Sequence, residues 1–335
     1  MDRYLGKIIK NDLNNAYGVT VIPAGSVLNE EHLELIRKQR INVLDIVFAG
    51  SEEREPGCGE KVDRTVGLAK ELFESYRLTH KVPLADIRKE VVPAVLDIAL
   101  TPDIFSLFQA IRGTDDYTYE HNIGVGVLST LIGRWLNMDE GELAALSLAA
   151  TLHDIGKLKL PAELLMKPGK LTAGEYEMVK KHTVYGYEML KETVGANSRM
   201  ALAALQHHER NDGNGYPLRL TEEQIDPFSK IVAVADIFHA MSSRRPYHEA
   251  MPFHIIVDQM RRGSFGVLDP HIVSVFLDNI VKRSIGRGVV LTDGRVGEIV
   301  YLNPHNIETP LVRIKDEYID LSKNRQIAIH SIAVE

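Results

Sequence analysis

Seven side chains in the middle of this chain are of the types that bind metal ions: His121, His153, Asp154, His182, His207, His208 and Asp236. Nine of the thirteen histidines fall between positions 121 and 271. A set of imidazoles and carboxylates without a thiolate suits hard or borderline ions such as Fe, Mn or Zn. One ion rarely needs seven protein ligands, whereas two ions sharing a bridging carboxylate would use them. The densest stretch is 207–217, HHERNDGNGYP. Neighbouring residues on a helix diverge by about 100°, so His207 and His208 cannot both face a dry core. Either one lies on the surface, or both reach into a polar site from a helix terminus.

Taken singly, each residue has a plainer reading. His121, in TYEHNIGVGVL, fits a hydrogen-bonded core histidine. Asp236 sits in the apolar run IVAVADIFHAM, where a buried carboxylate needs a metal or a cation such as Lys230. His182 follows two lysines and fits an exposed position. Seven such coincidences in one block are what the joint pattern argues against.

The elements that must position these groups are helical. From about 62 to 282 the apolar spacing is that of helices, as in Val62, Val66, Ala69 and Phe73, or Val91, Val95, Leu96 and Leu100. The amphipathic stretch 62–112 offers a face to a partner. Thr172-Ala-Gly-Glu175 and Thr221-Glu-Glu-Gln224 are capping boxes, and Asp269-Pro270 reads as an N-cap followed by the first helical residue. Before this block, strands at 18–22 and 41–47 flank a helix over 30–40 that Asn29 caps. Residues 50–60, GSEEREPGCGE, read as a polar linker. After Ser284 the pattern turns to β: GVVL and VGEIVYL flank a Thr292-Asp-Gly-Arg295 turn, and strands follow at 311–314, 318–321 and 327–332. The chain is therefore read as mainly α. A small N-terminal α/β module (1–50) is followed by a linker and helical segment (51–104), a helical bundle (105–283) and a small β barrel or meander (284–335).

The 335 residues, 44% hydrophobic and 25% charged, suffice for a sizeable core in two or three modules. A net charge of −7 argues against coating DNA or RNA but leaves room for a local basic pocket. The lone cysteine, Cys58, makes no internal disulfide and reads as an incidental linker residue in a reducing compartment. With no signal peptide and no membrane span in view, a cytoplasmic location is expected.

His153-Asp-Ile-Gly-Lys157, preceded by His121 and followed by HHERNDGNGYP and Asp236, resembles the HD-GYP family of the HD phosphohydrolase superfamily over roughly residues 105–280. The resemblance implies a bacterial cyclic di-GMP phosphodiesterase that acts in second-messenger signalling and yields pGpG and then GMP. It implies a first metal on His121, His153, Asp154 and Asp236, and a second on His182, His207 and His208, with Asp154 bridging. Fe or Mn is the expected pair, with Zn or Ni as alternatives. A hydroxide between the ions would attack phosphorus in line. Lys157 is then the group for phosphate neutralisation or leaving-group assistance. Gly215, Tyr216, Arg245 and His248 are candidates for substrate binding, with Gly213 easing the turn. Glu209 and Asp212 are loop-fixing candidates behind the ligands.

The chain departs from the family pattern at several places. Tyr117 stands where some members carry a third-metal Glu, so two metals are expected. His239, Arg244 and His248 replace an Asp, an acid and a basic residue. These changes keep alive a catalytically weak cyclic-dinucleotide receptor, or a phosphodiesterase for another cyclic dinucleotide such as cyclic GMP-AMP. A second copy of the chain or a regulatory protein is the partner class for the N-terminal module.

Overall fold

The computed structural model describes residues 5, 8–9, 12–14, 20–39, 48–49, 56–112, 117–167, 169–243, 251–263, 266–303, 306–324 and 326–332. The chain divides into two compact units, residues 1–57 and 58–335. In the first, β1 (Ile8–Ile9) pairs with β4 (Phe48–Ala49), and β2 (Leu13–Asn14) with β3 (Thr20–Ile22), all antiparallel. Between β3 and β4 runs α1 (Glu30–Lys38), where Asn29 Oδ1 accepts from His32 N at 2.8 Å. Ile9, Leu13, Ile22, Leu28, Leu33 and Ile36 form its core. The strand expected over 41–47 lies outside the described residues.

The second unit opens with α2 (Cys58–Thr79), α3 (Leu84–Asp86), a π turn at Ile87–Val91, α4 (Val92–Ile98) and α5 (Ile104–Ala110). The linker reading is corrected here, because Cys58, Gly59 and Glu60 form the first turn of α2. Cys58 packs against the core and its Sγ accepts from Thr101 Oγ1 at 3.5 Å, so it is not incidental. Part of the apolar face of 62–112 turns inward. Val62, Val66, Phe73, Val91 and Val95 are all buried within this chain's own core.

The centre of the unit is α6 (Tyr117–Trp135), packed against α7 (Glu140–Thr151) and α12 (Pro227–Ser242). Every residue from 121 to 133 of α6 is buried, and α12 is nearly as enclosed, which is why neither helix shows an amphipathic stripe. Their ends are set locally. Asp139 accepts from Glu142 N at 2.8 Å, and Asp226, just before Pro227, accepts from Phe228 N at 2.8 Å. Lys230 pairs with Asp269 at 3.3 Å rather than with Asp236.

Between these helices run a 3-10 turn at Ile155–Lys159, α8 (Ala162–Leu165), α9 (Ala173–Lys180), α10 (His182–Lys191) and α11 (Ser198–Gln206). The Thr172 capping box starts α9 as expected, whereas the Thr221 box opens only a 3-10 turn at Glu222–Gln224. Glu175 in the α9 box is pulled from 4.5 to about 2 by its hydrogen bonds to Lys167 and to Thr172. A depressed carboxyl stabilises the fold above its unfolded value and loses that contribution as pH falls through the folded one. Protection of the amides in the first turn of α9 against exchange, relative to the unfolded chain at the same pH, is therefore expected to fall between pH 4.5 and about 2; Glu175→Gln should remove the pH step, and an unchanged step would refute the assignment.

After α13 (Phe253–Gly263) and α14 (Pro270–Lys282) come β5 (Gly288–Leu291), β6 (Val296–Asn303), β7 (Asn306–Ile314), β8 (Glu317–Asp320) and β9 (Ile329–Ile332). They form one antiparallel sheet in the order β8-β7-β6-β5-β9, a meander whose last strand returns to pair with the first. Its apolar face carries Val289, Leu291, Ile299, Val312, Leu321 and Ile329. His254 Nδ1 donates to Ile329 O at 2.6 Å, and Arg287 pairs with Asp103 at 2.7 Å, tying sheet to helices. No helix among the described residues is long and apolar enough to cross a membrane.

Candidate metal centre

Five helices converge on one buried cluster. His121 lies on α6 and Asp236 on α12. His153 and Asp154 occupy the turn after α7, His182 is the first residue of α10, and His207 and His208 follow the last residue of α11. Among the described residues, three groups have ligand atoms within 4.8 Å of one another: His121, His153 and Asp236; His153, Asp154 and His207; and His182, His207 and His208. The awkward pair at 207–208 resolves at a helix terminus. His207 is buried, the His208 side chain is 28% exposed, and their ring centroids are 4.1 Å apart.

Asp154 divides its two oxygens between two sets of nitrogens. Oδ2 lies 3.3 Å from His153 Nε2 and 3.7 Å from His121 Nε2. Oδ1 lies 3.2 Å from His182 Nε2 and 3.7 Å from His207 Nε2. Asp236 Oδ1 is 3.0 Å from His121 Nε2, and its Oδ2 is 3.9 Å from His208 Nδ1.

The far side of three rings settles which nitrogens face inward bare. His153 Nδ1 donates to Ala150 O at 2.7 Å, His182 Nδ1 to Val179 O at 2.7 Å, and His207 Nδ1 to Ala204 O at 3.0 Å. A carbonyl only accepts, so each Nδ1 carries the proton and each neutral ring turns a lone pair toward the centre. His182 Nε2 and His207 Nε2 then sit 3.3 Å apart with no donor between them. His153 Nε2 and Asp154 Oδ1 are buried without a hydrogen-bond partner. Leaving such groups unmet costs about 1–3 kcal/mol each, more where charged. Inward lone pairs around two buried carboxylates are a donor set that a cation completes, and the residues fit a divalent metal.

The electrostatics agree. Burial raises the Asp154 carboxyl, but Lys157, His153 and His182 outweigh it and hold it well below the usual range. Burial likewise opposes ionisation of Asp236, and the hydrogen bond and charge of His121 overcome it. Burial pushes His207 well down and His208 to about 3, so both are neutral. His153 is displaced upward, because Asp154 beside it outweighs burial: in the absence of a metal, a proton is the cation this corner attracts. The Lys157 ammonium pairs with Asp154 Oδ2, while its side chain is 23% exposed.

The loop after His208 is held from behind. Glu209 is buried and accepts from Leu218 N at 2.6 Å and from Leu220 N at 3.0 Å. Asp212 accepts from Asn214 N at 2.9 Å and pairs with Arg210 at 2.6 Å. A Cβ on Gly215 would meet Arg210 N and Glu209 Cα at 2.5 Å, so only glycine lets the loop fold back this closely. The Tyr216 ring stacks on His208 at 4.7 Å, with Lys180 Nζ 5.3 Å from its centroid. Burial pushes its phenol upward, so it stays protonated. Tyr216 also lines a cleft of about 620 Å³ with Tyr176, Lys180, Lys181 and Arg219. Arg245 and His248, together with Arg244, lie outside the described residues.

Two residues that matter here escaped the motif reading. Gly156 lies where an added Cβ would stand 1.9 Å from His182 O and 2.5 Å from Gly186 N. His239, noticed only as a departure from a pattern, sits beside His121. Its position three residues after Asp236 on a buried helix was the available signal.

Residues 108–272 match the HD domain family. The chain is 30% identical over 243 residues to "Cyclic di-GMP phosphodiesterase PA4108" of Pseudomonas aeruginosa, an alignment covering 72% of this chain and 58% of that protein. It is 33% identical over 215 residues to "3'3'-cGAMP-specific phosphodiesterase 3" of Vibrio cholerae, covering 62% and 46%. The chain thus spans about half the length of the curated relatives it matches. Among solved structures, "Bd1817, a HDG"Y"P protein from Bdellovibrio bacteriovorus" shares the fold, with a TM-score of 0.53 and 16% identity over 82% of this chain and 95% of that one. Residues 108–272 of this chain are therefore an HD domain, with His153-Asp154 and Gly215-Tyr216-Pro217 inside it.

Proposed function

We propose that this protein is a metal-dependent phosphodiesterase that opens a cyclic dinucleotide, cyclic di-GMP in the first instance, to pGpG and then to GMP. The observation that carries the reading is Asp154, whose two oxygens address separate imidazole pairs, His121 with His153 and His182 with His207. His121, His153, Asp154 and Asp236 would hold one ion, and Asp154, His182, His207 and His208 the other; Fe or Mn is the pair we favour. Bound there, two divalent cations acidify water and neutralise charge on a phosphoryl group.

The chain's own groups do the rest. Asp154, kept ionised by Lys157 and the imidazoles, takes no proton at working pH. Lys157 touches Asp154 and reaches solvent, so its ammonium is placed to meet a phosphate oxygen and to give a proton to the leaving ribose oxygen. Tyr216 keeps its O–H as a donor, and Glu209 holds the backbone of the loop that carries it. Arg245 and His248 remain the proposed clamps on the second phosphate.

The test is protein purified without oxygen, assayed for metal content and for turnover of cyclic di-GMP and of cyclic GMP-AMP. About two ions per chain and cleavage of cyclic di-GMP are expected. Faster cleavage of cyclic GMP-AMP would move the substrate assignment, a choice the names of the relatives leave open. Tight dinucleotide binding without cleavage by the metal-loaded protein would make it a receptor and overturn the enzyme reading.

A further inference from the structure

His153, His182 and His207 each sit at a helix end, and each hands its outer N–H to a main-chain carbonyl three or four residues back. His121 lies inside α6, where the carbonyls are engaged by the helix itself. Its outer nitrogen meets a side chain instead: Nδ1 lies 3.0 Å from His239 Nδ1. The other nitrogen of His239, Nε2, lies 2.9 Å from Ile111 O at the end of α5. Ser243 Oγ is 3.3 Å from His239 Nδ1.

The direction of these hydrogen bonds is set at the far end by a group that cannot change. Ile111 O only accepts, so His239 Nε2 carries a proton. With one proton on the ring, His239 Nδ1 is an acceptor, open to Ser243 Oγ–H and to His121 Nδ1–H. When a cation takes the place of the hydrogen bond between His121 Nε2 and Asp236 Oδ1, 3.0 Å apart, His121 holds its one proton on Nδ1 and turns Nε2 to the cation. The main-chain carbonyl of Ile111, 128 residues from His239 in sequence, thus fixes the tautomer of His121 through one intervening ring.

The slot is shaped for that ring. His239 is buried, and a Cβ on Gly124 would lie 2.1 Å from its Nε2 and 2.3 Å from its Cδ2. Gly124 is three residues beyond His121, on the same face of α6, so a missing side chain on one helix admits the imidazole of the other. The rings of His121 and His239 meet edge to face at 5.0 Å.

We propose that His239 is a positioning residue for metal binding: it accepts from His121 Nδ1, donates to Ile111 O, and thereby presents His121 Nε2 as a ligand. The inference rests on the metal-centre reading above. As a neutral relay, His239 adds no third negative charge beside Asp154 and Asp236. Groups in this relation to a metal-binding imidazole typically carry 10–100-fold of metal affinity.

The experiment titrates metal-free protein with Co(II), reading the absorption bands of the two sites, and records imidazole ¹⁵N shifts of the wild type loaded with diamagnetic Zn(II). His239→Met should weaken the site of His121 about 10–100-fold, leaving that of His182, His207 and His208 within about twofold. His239→Gln, whose amide can accept and donate at once, should recover most of the loss. The ¹⁵N shifts should show His121 Nδ1 protonated and His239 Nδ1 bare. Unchanged affinity in His239→Met, equal loss at both sites, no recovery in a folded His239→Gln, or the opposite ¹⁵N pattern would overturn the proposal. Should His239→Met not fold, the Gln variant and the wild-type shifts decide. Failure of the wild type to bind Co(II) at all would instead remove the metal-centre reading beneath it.

Discussion

Asp154→Asn is expected to lower turnover by at least about a thousandfold, a loss of roughly 4 kcal/mol in transition-state stabilisation. The carboxylate faces both imidazole pairs, through different oxygens. An amide keeps the shape but offers one oxygen and one NH2, so one of the two sides loses its anionic ligand. Bound metal should fall from about two ions per chain to one or fewer, measured by elemental analysis after dialysis. The same substitution should spare the fold. In metal-free protein Asp154 Oδ1 is buried without a partner, and an amide N–H in its place, 3.2 Å from the bare Nε2 of His182, supplies a missing donor. Loss of the Lys157 pair works against this gain. Thermal unfolding of chelated samples should therefore give a midpoint equal to the wild type or above it. A fall of more than about 2–4 °C, roughly 1 kcal/mol for a unit of this size, would mark Asp154 as a structural residue first.

Gly156→Ala is expected to do the reverse, damaging the fold and the metal centre together. The added methyl would stand 1.9 Å from His182 O and 2.5 Å from Gly186 N, and both obstacles are backbone. No side-chain rotation relieves such a contact, so α10 must shift away from the 3-10 turn at Ile155–Lys159. Overpacking of this kind costs about 3 kcal/mol or more, which lowers the unfolding midpoint by roughly 6–12 °C. Because His182 is the first residue of α10, ion binding at His182, His207 and His208 should weaken before that at His121, His153 and Asp236. The control is Gly174→Ala, where nothing lies within 4 Å of the new methyl; its stability should stay within about 0.5 kcal/mol of wild type. A Gly156→Ala protein with unchanged stability and both ions bound would show that the turn and α10 are not locked together.

Much of this arrangement is legible in the chain because it is local. Apolar spacing at helical period marks the long block, and Asn29, Thr172 and Asp269 mark helix starts that the structure forms with their side chains as caps. The hairpin at Asp293-Gly294 is equally local. Local signals misled where a neighbour outweighed them. Cys58 lies in a Pro- and Gly-rich stretch, yet it joins α2 because it packs against a core formed by residues far along the chain. The Thr221 box has the right residues for a helix and makes only one turn, since Pro227 behind Asp226 begins the next helix. The return of β9 to β5 is a long-range pairing that no spacing encodes.

The sequence by itself determined the donor set: five imidazoles, two carboxylates and a lysine, in an order and spacing that admit metal chemistry and little else. Only the tertiary structure decided how those donors are aimed. Which nitrogen of each ring is bare depends on what stands behind it. For His121 that is His239, 118 residues away, wedged into the space that Gly124 leaves open. Residue types travel with the sequence, whereas the direction of a lone pair is set by the hydrogen bond on the opposite side of the ring, and packing between helices makes that bond.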